Sequence, residues 1–545
     1  MARTPLFKEI QRALKLASHL EATHTGTAEG LERIAETHWS RRRFLGTATA
    51  ATAGAALISV PLFEHVALGA ESPKVVIVGA GTAGLTCAYR LQQHGINSRI
   101  IEASTRIGGR MFSLRNFFPD NQLTELGGEY IDSDHLQLQA LARELGLGLI
   151  DLYYNNGPSG HSYFFDNKLI PADADFIEMF RPVAKAIKND LDQMKVRVHG
   201  KWEISYDSPH GKEMDGWSIS EWLDKRGVTG LMSKVLNAAY IGEYGLEISE
   251  QSALNLLLEI GDEPPADEFL IFGASDERFH IVEGNDSVPT GLAQRLNRPV
   301  EFNTRLESIR SDGEGYRLNV RRDSTSVEIK ADILVLALPF TILRGLDVRV
   351  EMPLAKRRAI QELGYGTNAK LIAGFSRRVW EETNVTGYRF DTRSTGYTFT
   401  DLEFQCCWET SRGQPGTHAL LTNFAGGRLG ANLNQGTIQE RAVKFASQVD
   451  QIFPGTAEAY TGQAVRQHWP SSPFVMGSYT CYRPGQYSTL ADWVATPVGN
   501  IFFAGEHTSV EFNGYMEGAV ETGHRAAQEV WAKLHGKKKR AAKAA

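Results

Sequence analysis

The 545 residues carry 58 Lys and Arg against 64 Asp and Glu, for a formal net charge of −6, with 42% hydrophobic and 22% charged residues. That composition supports a core large enough for two or three domains and excludes a disordered, collagen-like or disulfide-scaffold chain. The charge balance gives no electrostatic reason for a nucleic-acid partner. The four cysteines, Cys87, Cys406, Cys407 and Cys481, form no C-x-x-C pair of the zinc or thioredoxin kind.

In chain order, the first feature is Ser40-Arg41-Arg42-Arg43-Phe44-Leu45-Gly46, followed by the uncharged, Ala-rich stretch Thr47 to Leu62. This stretch is short for a membrane span, which needs about 20 apolar residues. The cluster resembles the bacterial twin-arginine export signal, which implies periplasmic or secreted localisation and the twin-arginine translocation machinery as a partner. Ala67-Leu68-Gly69 offers small residues for cleavage near Gly69. Before the signal, Leu6, Ile10, Ala13, Leu14 and Ala17 fall at helical spacing. Residues 1–70 are therefore read as an extension plus signal.

From Lys74 a β-branched run, Val75-Val76-Ile77-Val78, suits a buried parallel strand. The turn Gly79-Ala80-Gly81-Thr82-Ala83-Gly84 follows, then a helix ending near Gly95 and a strand from Ser98 to Ile101 that closes on Glu102. Together these make a dinucleotide-binding unit. Gly79 permits the tight turn, Gly81 lets a pyrophosphate approach the backbone, and Gly84 lets helix and strand pack closely. Glu102 is placed to hold ribose hydroxyls, and the helix N-terminus faces phosphate.

Four further segments separate FAD from NAD. Ala103 and Ile107-Gly108-Gly109-Arg110 follow Glu102, and Leu126-Gly127-Gly128-Glu129-Tyr130 comes next. Near the end stand Asn500 to Gly505-Glu506-His507-Thr508 and Asn513-Gly514-Tyr515-Met516-Glu517-Gly518-Ala519. In this order they resemble the flavin-containing amine oxidases, a family that includes monoamine, polyamine and L-amino-acid oxidases. The resemblance spans residues 74 to 525.

It implies an α/β fold (α+β in the substrate part), with a Rossmann-like FAD-binding domain interleaved with a mixed-sheet and helical substrate domain. Residues 72–139, 278–345 and 466–535 would form the first, residues 140–277 and 346–465 the second, and 536–545 a solvated basic tail. Independently of the family, Phe302 to Ile309 and Tyr316 to Val320 read as strands around a Gly-containing turn, and Ala331 to Leu338 as a buried strand. By resemblance Leu306 touches the adenine, Arg110 neutralises the pyrophosphate and Glu506 reaches the ribityl chain. A helix starting near Gly514 turns its positive end toward the flavin. Ser478 stands where animal monoamine oxidases attach flavin through cysteine, so the FAD is expected to be non-covalent.

The resemblance also assigns the chemistry, a hydride moving from the carbon beside nitrogen to flavin N5. Lys370, in Asn368 to Phe375, would hold a water against N5. On its own, a lysine in an alternating strand reads as the outward residue of a solvated sheet. Tyr479 and Tyr515 would form the paired aromatic walls before the flavin; a half-buried core position is the ordinary fate of a tyrosine. Tyr130 and Asp132 are the candidate substrate contacts. No carboxylate-binding arginine stands in Glu129 to Asp132, which points toward an amine, including one with a second cationic end. No metal site is expected. The implied partners are a small-molecule amine or amino acid and O2 or another electron acceptor; a homodimer is compatible. The rivals are an exported dehydrogenase or desaturase of the same fold acting on a non-amine substrate, and a non-catalytic flavin-binding protein.

Overall fold

The computed structural model describes residues 73–152, 160–170, 178–198, 201–260, 277–382, 394–509 and 511–544. The segment expected to direct export lies outside the described residues. Val75–Val78 is wholly buried and pairs in parallel with Arg99–Ile101 on one side and Ile333–Leu336 on the other. Ile501–Phe503 completes the sheet by pairing with Ile333–Leu336. Four strands from three distant stretches thus form one parallel layer, and its all-apolar residues are what burial on both faces requires.

Two helices lie together beside this sheet. Thr82–Gln93 follows the glycine turn, and Gly95, at φ 76°, supplies the left-handed exit expected of it. The last helix, Met516–Ala544, packs onto it at Gly523, where an added Cβ would stand 2.5 Å from the Ala83 carbonyl oxygen. This helix continues through Lys537 to Arg540, so the basic run expected to follow the last helix lies within it. A four-stranded sheet holds the expected pair as Thr304–Asp312 and Gly315–Arg322, flanked by Thr325–Ala331 and Asp347–Arg349.

A further sheet has seven strands. Its order is Tyr460–His468, Ala369–Phe375, Ala419–Ala425, Cys406–Glu409, Ser394–Thr400, Gly160–Phe165 and Lys168–Ile170. All neighbours are antiparallel except Ser394–Thr400 with Gly160–Phe165. Tyr460–His468 pairs along its length with Ala369–Phe375, so this strand runs past the expected domain limit at residue 465. Helices surround one end of the sheet, with Trp222, Tyr240 and Phe180 buried among them.

Candidate active site

A cavity of about 780 Å³ runs from the glycine turn to the start of the last helix. Of the residues assigned to cofactor binding, Gly79, Gly81, Ala83, Glu102, Ala103, Gly109, Arg110, Leu306, Gly505, Glu506, Gly514, Tyr515 and Met516 line it. Gly79 is at φ 104°, which a residue with a Cβ rarely adopts. A Cβ built on Gly81 meets no described protein atom within 4 Å, so no neighbour in the fold demands a glycine there. The space it would enter belongs to the cavity. Gly84 packs instead, since a Cβ there would strike the Gly79 carbonyl oxygen. The Ala80 amide donates to Glu102 at 2.8 Å, and the Ser104 amide and hydroxyl donate to the other oxygen of the same carboxylate.

At the far end Arg110 and Glu506 form an ion pair at 2.7 Å, and Arg110 also donates to the Ser478 carbonyl. Thr480 Oγ1 and the Gly514 amide donate to the second oxygen of Glu506. Burial pushes the Glu506 carboxyl up, and the Arg110 guanidinium together with its other neighbours, the Gly514 amide among them, outweighs this and holds it below its ordinary range. Beside it His507 is 1% exposed, and burial lowers its imidazole to about 3. A neutral imidazole has one donor and one acceptor, yet both ring nitrogens lack a partner among the described residues. Open space at Gly81 and an unpartnered ring on the wall are what a bound dinucleotide would complete.

Gly127, Gly128, Glu129 and Lys370 stand one layer behind this wall. Gly128 backs onto Met516, where a Cβ would lie 2.7 Å from its side chain. All seven residues of Ala369–Phe375 are buried, so Lys370 is no outward-facing lysine of a solvated sheet. Its ammonium donates to the carbonyls of Glu125 at 3.0 Å and Gly127 at 2.9 Å, and to the Glu129 carboxylate at 2.6 Å. All three of its N–H bonds are directed at protein acceptors in this structure. Glu129, expected among the cofactor contacts, is instead the counter-ion of Lys370, and its other oxygen accepts from Trp408 Nε1 at 2.9 Å.

Tyr479 and Tyr515 do come together, around Gly514, lining a small recess with Glu243, Tyr244 and Asn513. The Tyr479 hydroxyl donates to the Glu243 carbonyl at 2.5 Å. The Tyr515 ring meets His135 edge to face at 4.9 Å. Tyr130 is buried against Trp408. Asp132 is 2% exposed and accepts the Glu277 amide at 2.5 Å, so its carboxylate is tied into the fold rather than lining either cavity described so far. Ser478 donates to Asn368 Oδ1, and none of the four cysteines lines the cofactor cavity, so that cavity offers no thiol for a covalent flavin link.

Several lining residues were missed by sequence reasoning. Arg106 stacks over the Phe112 ring at 4.1 Å and donates to the Gly109 carbonyl, bracing the loop that carries Arg110. Trp469 Nε1 donates to the Leu126 carbonyl at 3.0 Å. The signal for Arg106 was its place in the same loop as Arg110; a lone tryptophan such as Trp469 gives none.

Comparison with known proteins agrees with this geometry. The profile of the flavin containing amine oxidoreductase family matches residues 82–531. The chain is 26% identical to amine oxidase [flavin-containing] A of Sus scrofa over 465 residues, 84% of each chain. It is 25% identical to an L-amino-acid oxidase of Siganus canaliculatus, over 84% of this chain and 85% of that one. In fold it resembles cyclohexylamine oxidase from Brevibacterium oxydans, with a TM-score of 0.72 at 21% identity, covering 85% of this chain and 100% of the other. It also resembles putrescine oxidase bound to putrescine, with a TM-score of 0.70 at 19% identity, covering 84% and 99%. With a cavity that fits FAD and a family match across most of its length, the chain belongs to the flavin-containing amine oxidases, oxidoreductases that act on amines.

Proposed function

We propose that the substrate is a primary or secondary amine without a carboxylate beside its nitrogen, a monoamine or polyamine in preference to an L-amino acid. One observation carries this reading. The recess beside the aromatic pair is lined by Glu243, Tyr244, Tyr479, Thr480, Asn513, Gly514 and Tyr515 and by no Arg or Lys. A wall without a cation offers a carboxylate no counter-charge. The segment Glu129 to Asp132 likewise holds no arginine.

FAD, when bound, accepts the hydride leaving the carbon beside nitrogen and passes its electrons to dioxygen, giving hydrogen peroxide. The residues of the chain do the rest. Gly79, Gly81, Glu102, Arg110 and Glu506 hold the cofactor, while Tyr479 and Tyr515 align the amine and keep its surroundings dry. Lys370 supplies a positive charge and an exchangeable proton from behind the wall. The imine product hydrolyses in water to a carbonyl compound.

The test is peroxide release across matched amines and amino acids. Each amine should exceed its α-carboxylated counterpart in kcat/KM by about tenfold or more, about 1.4 kcal/mol of barrier. Faster amino acids would overturn the substrate assignment, and dye reduction without peroxide would make the chain a dehydrogenase.

The Ser40 to Gly46 motif supports export by the twin-arginine route, which carries folded, cofactor-loaded cargo. Changing Arg41 and Arg42 to Lys should strand flavin-loaded protein in the cytoplasm. Unchanged appearance outside the cytoplasmic membrane would refute that route.

A further inference from the structure

A second cavity, of about 540 Å³, lies where Arg115 and His280 of the cofactor side meet the turn around Thr410 to Pro415. It shares no lining residue with the cofactor cavity. Val282, 52% exposed, marks its mouth, and Glu129, 1% exposed, its inner end.

Lys370 sits immediately behind that inner end. A lysine that gives up a proton must regain one, and two of its three acceptors are backbone carbonyls, which have none to give. The third is Glu129, and neither the cofactor cavity nor the aromatic recess is lined by it. The second cavity is wide enough for water and reaches it. The other charged or titratable groups on its wall are Arg115, Tyr130, His280, Glu283, Glu409 and Arg412. Glu125, whose carbonyl also holds Lys370, bonds His280 Nε2 at 3.1 Å.

We propose that the second cavity is a water conduit and that Glu129 is the positioning and relay residue that returns protons to Lys370. The proposal rests on the reading that Lys370 exchanges a proton during turnover. In the step, the Lys370 ammonium gives one of the two protons that dioxygen needs, once it has taken up two electrons, to leave as hydrogen peroxide, and becomes a neutral amine. A hydronium ion in the cavity protonates the Glu129 carboxylate and leaves water. The resulting carboxylic acid passes its proton to Nζ, which restores ammonium and carboxylate. Only O–H and N–H bonds form and break, and one proton moves inward from bulk water.

The test uses full-length, FAD-loaded protein, with rapid mixing to follow the return of flavin absorbance in oxygenated buffer across pH. Lys370→Met is run in parallel and should slow the return about tenfold. Glu129→Gln should slow it by a similar factor and remove its pH dependence. Glu129→Asp should recover to within about threefold of wild type. Formate, a small acid able to enter the cavity, should partly rescue Glu129→Gln, and adding Val282→Trp at the mouth should block that rescue. In flavin-free protein, carbamylation of Lys370 by cyanate requires the neutral amine. Its rate, read by peptide mass, should rise about threefold in Glu129→Gln, because Nζ loses the carboxylate it donates to.

Wild-type rates for Lys370→Met would remove the reading of Lys370 and the relay with it. A slow Lys370→Met beside a Glu129→Gln variant with wild-type rates and wild-type carbamylation would overturn the relay alone. A slow Glu129→Gln that neither formate nor Glu129→Asp restores would reduce Glu129 to a structural carboxylate, which also overturns it.

Discussion

The turn Gly79 to Gly84 and the strand Ala369–Phe375 both bring groups to the centre of the molecule, by opposite means. At the turn the backbone does the positioning. Gly79 takes a φ of 104°, Gly84 abuts a backbone oxygen, and Glu102 ties to the Ala80 amide 22 residues earlier. On the strand a side chain is held by partners drawn from far along the chain, Lys370 and Glu129 being 241 residues apart. A site built from local backbone geometry takes its shape chiefly from residues close in sequence. A site built from a buried ion pair depends on two domains meeting in register.

The contrast can be broken from either side. The largest effect is expected from Lys370→Met, which leaves the Glu129 carboxylate buried beside no cation. Removing one partner of such a pair costs about 3–5 kcal/mol. Urea unfolding of the flavin-free protein should show that loss, and the double change with Glu129→Gln should recover much of it. Additive losses instead would mean that the two groups do not interact.

On the cofactor side, Gly523→Ala pushes a methyl group toward the Ala83 carbonyl and forces the last helix off the first. About 1–3 kcal/mol of stability should go, with faster loss of FAD on gel filtration. Wild-type retention would show that the helix contact does not set the cavity.

Tyr515→Ala should slow anaerobic bleaching by amine about tenfold, measured per flavin retained. An unchanged bleaching rate would remove Tyr515 from amine alignment.

The smallest effect concerns pH. The folded imidazole of His507 titrates at about 3, well below the ordinary histidine value of 6.5, because it is buried. Between pH 6.5 and 3 the unfolded chain takes a proton that the folded chain refuses, so stability falls as pH falls through that window. His507→Asn should flatten the decline in urea midpoint between pH 7 and 4.5 for the flavin-free protein. An identical slope in both proteins would place the titration elsewhere.

How much was legible in the sequence follows the same division. Gly79, Gly81 and Glu102 were readable because glycine backbone needs and ribose or phosphate chemistry leave local, ordered signatures, whereas Glu506 came through the family resemblance. The strands Val75–Val78 and Ile333–Leu336 were readable from uninterrupted β-branched and aliphatic runs. Lys370 could be singled out only through the family resemblance, since one lysine in a strand has no periodic mark of burial. The role of Glu129 was misjudged because its partner lies two domains' worth of sequence away, and nothing local announces an ion pair. The two unpartnered nitrogens of His507 were beyond reach for a related reason, for a missing partner can be seen only once the surroundings are folded.

The parallel sheet sets an order of events for a newly made chain. Ile501–Phe503 is its outer strand and the adjoining turn carries Glu506, while Val75–Val78 near the front supplies the glycine loop. More than 400 residues emerge between the two strands, so pairing across the sheet is among the most non-local in the molecule. The flavin cradle therefore has no far wall until residues 501–508 have left the ribosome. Until then the apolar faces of Val75–Val78 and Ile333–Leu336 need cover from elsewhere. Cofactor capture waits on that last strand, and a ribosome that stops short of residue 501 releases a chain whose flavin cradle lacks the wall that carries Glu506.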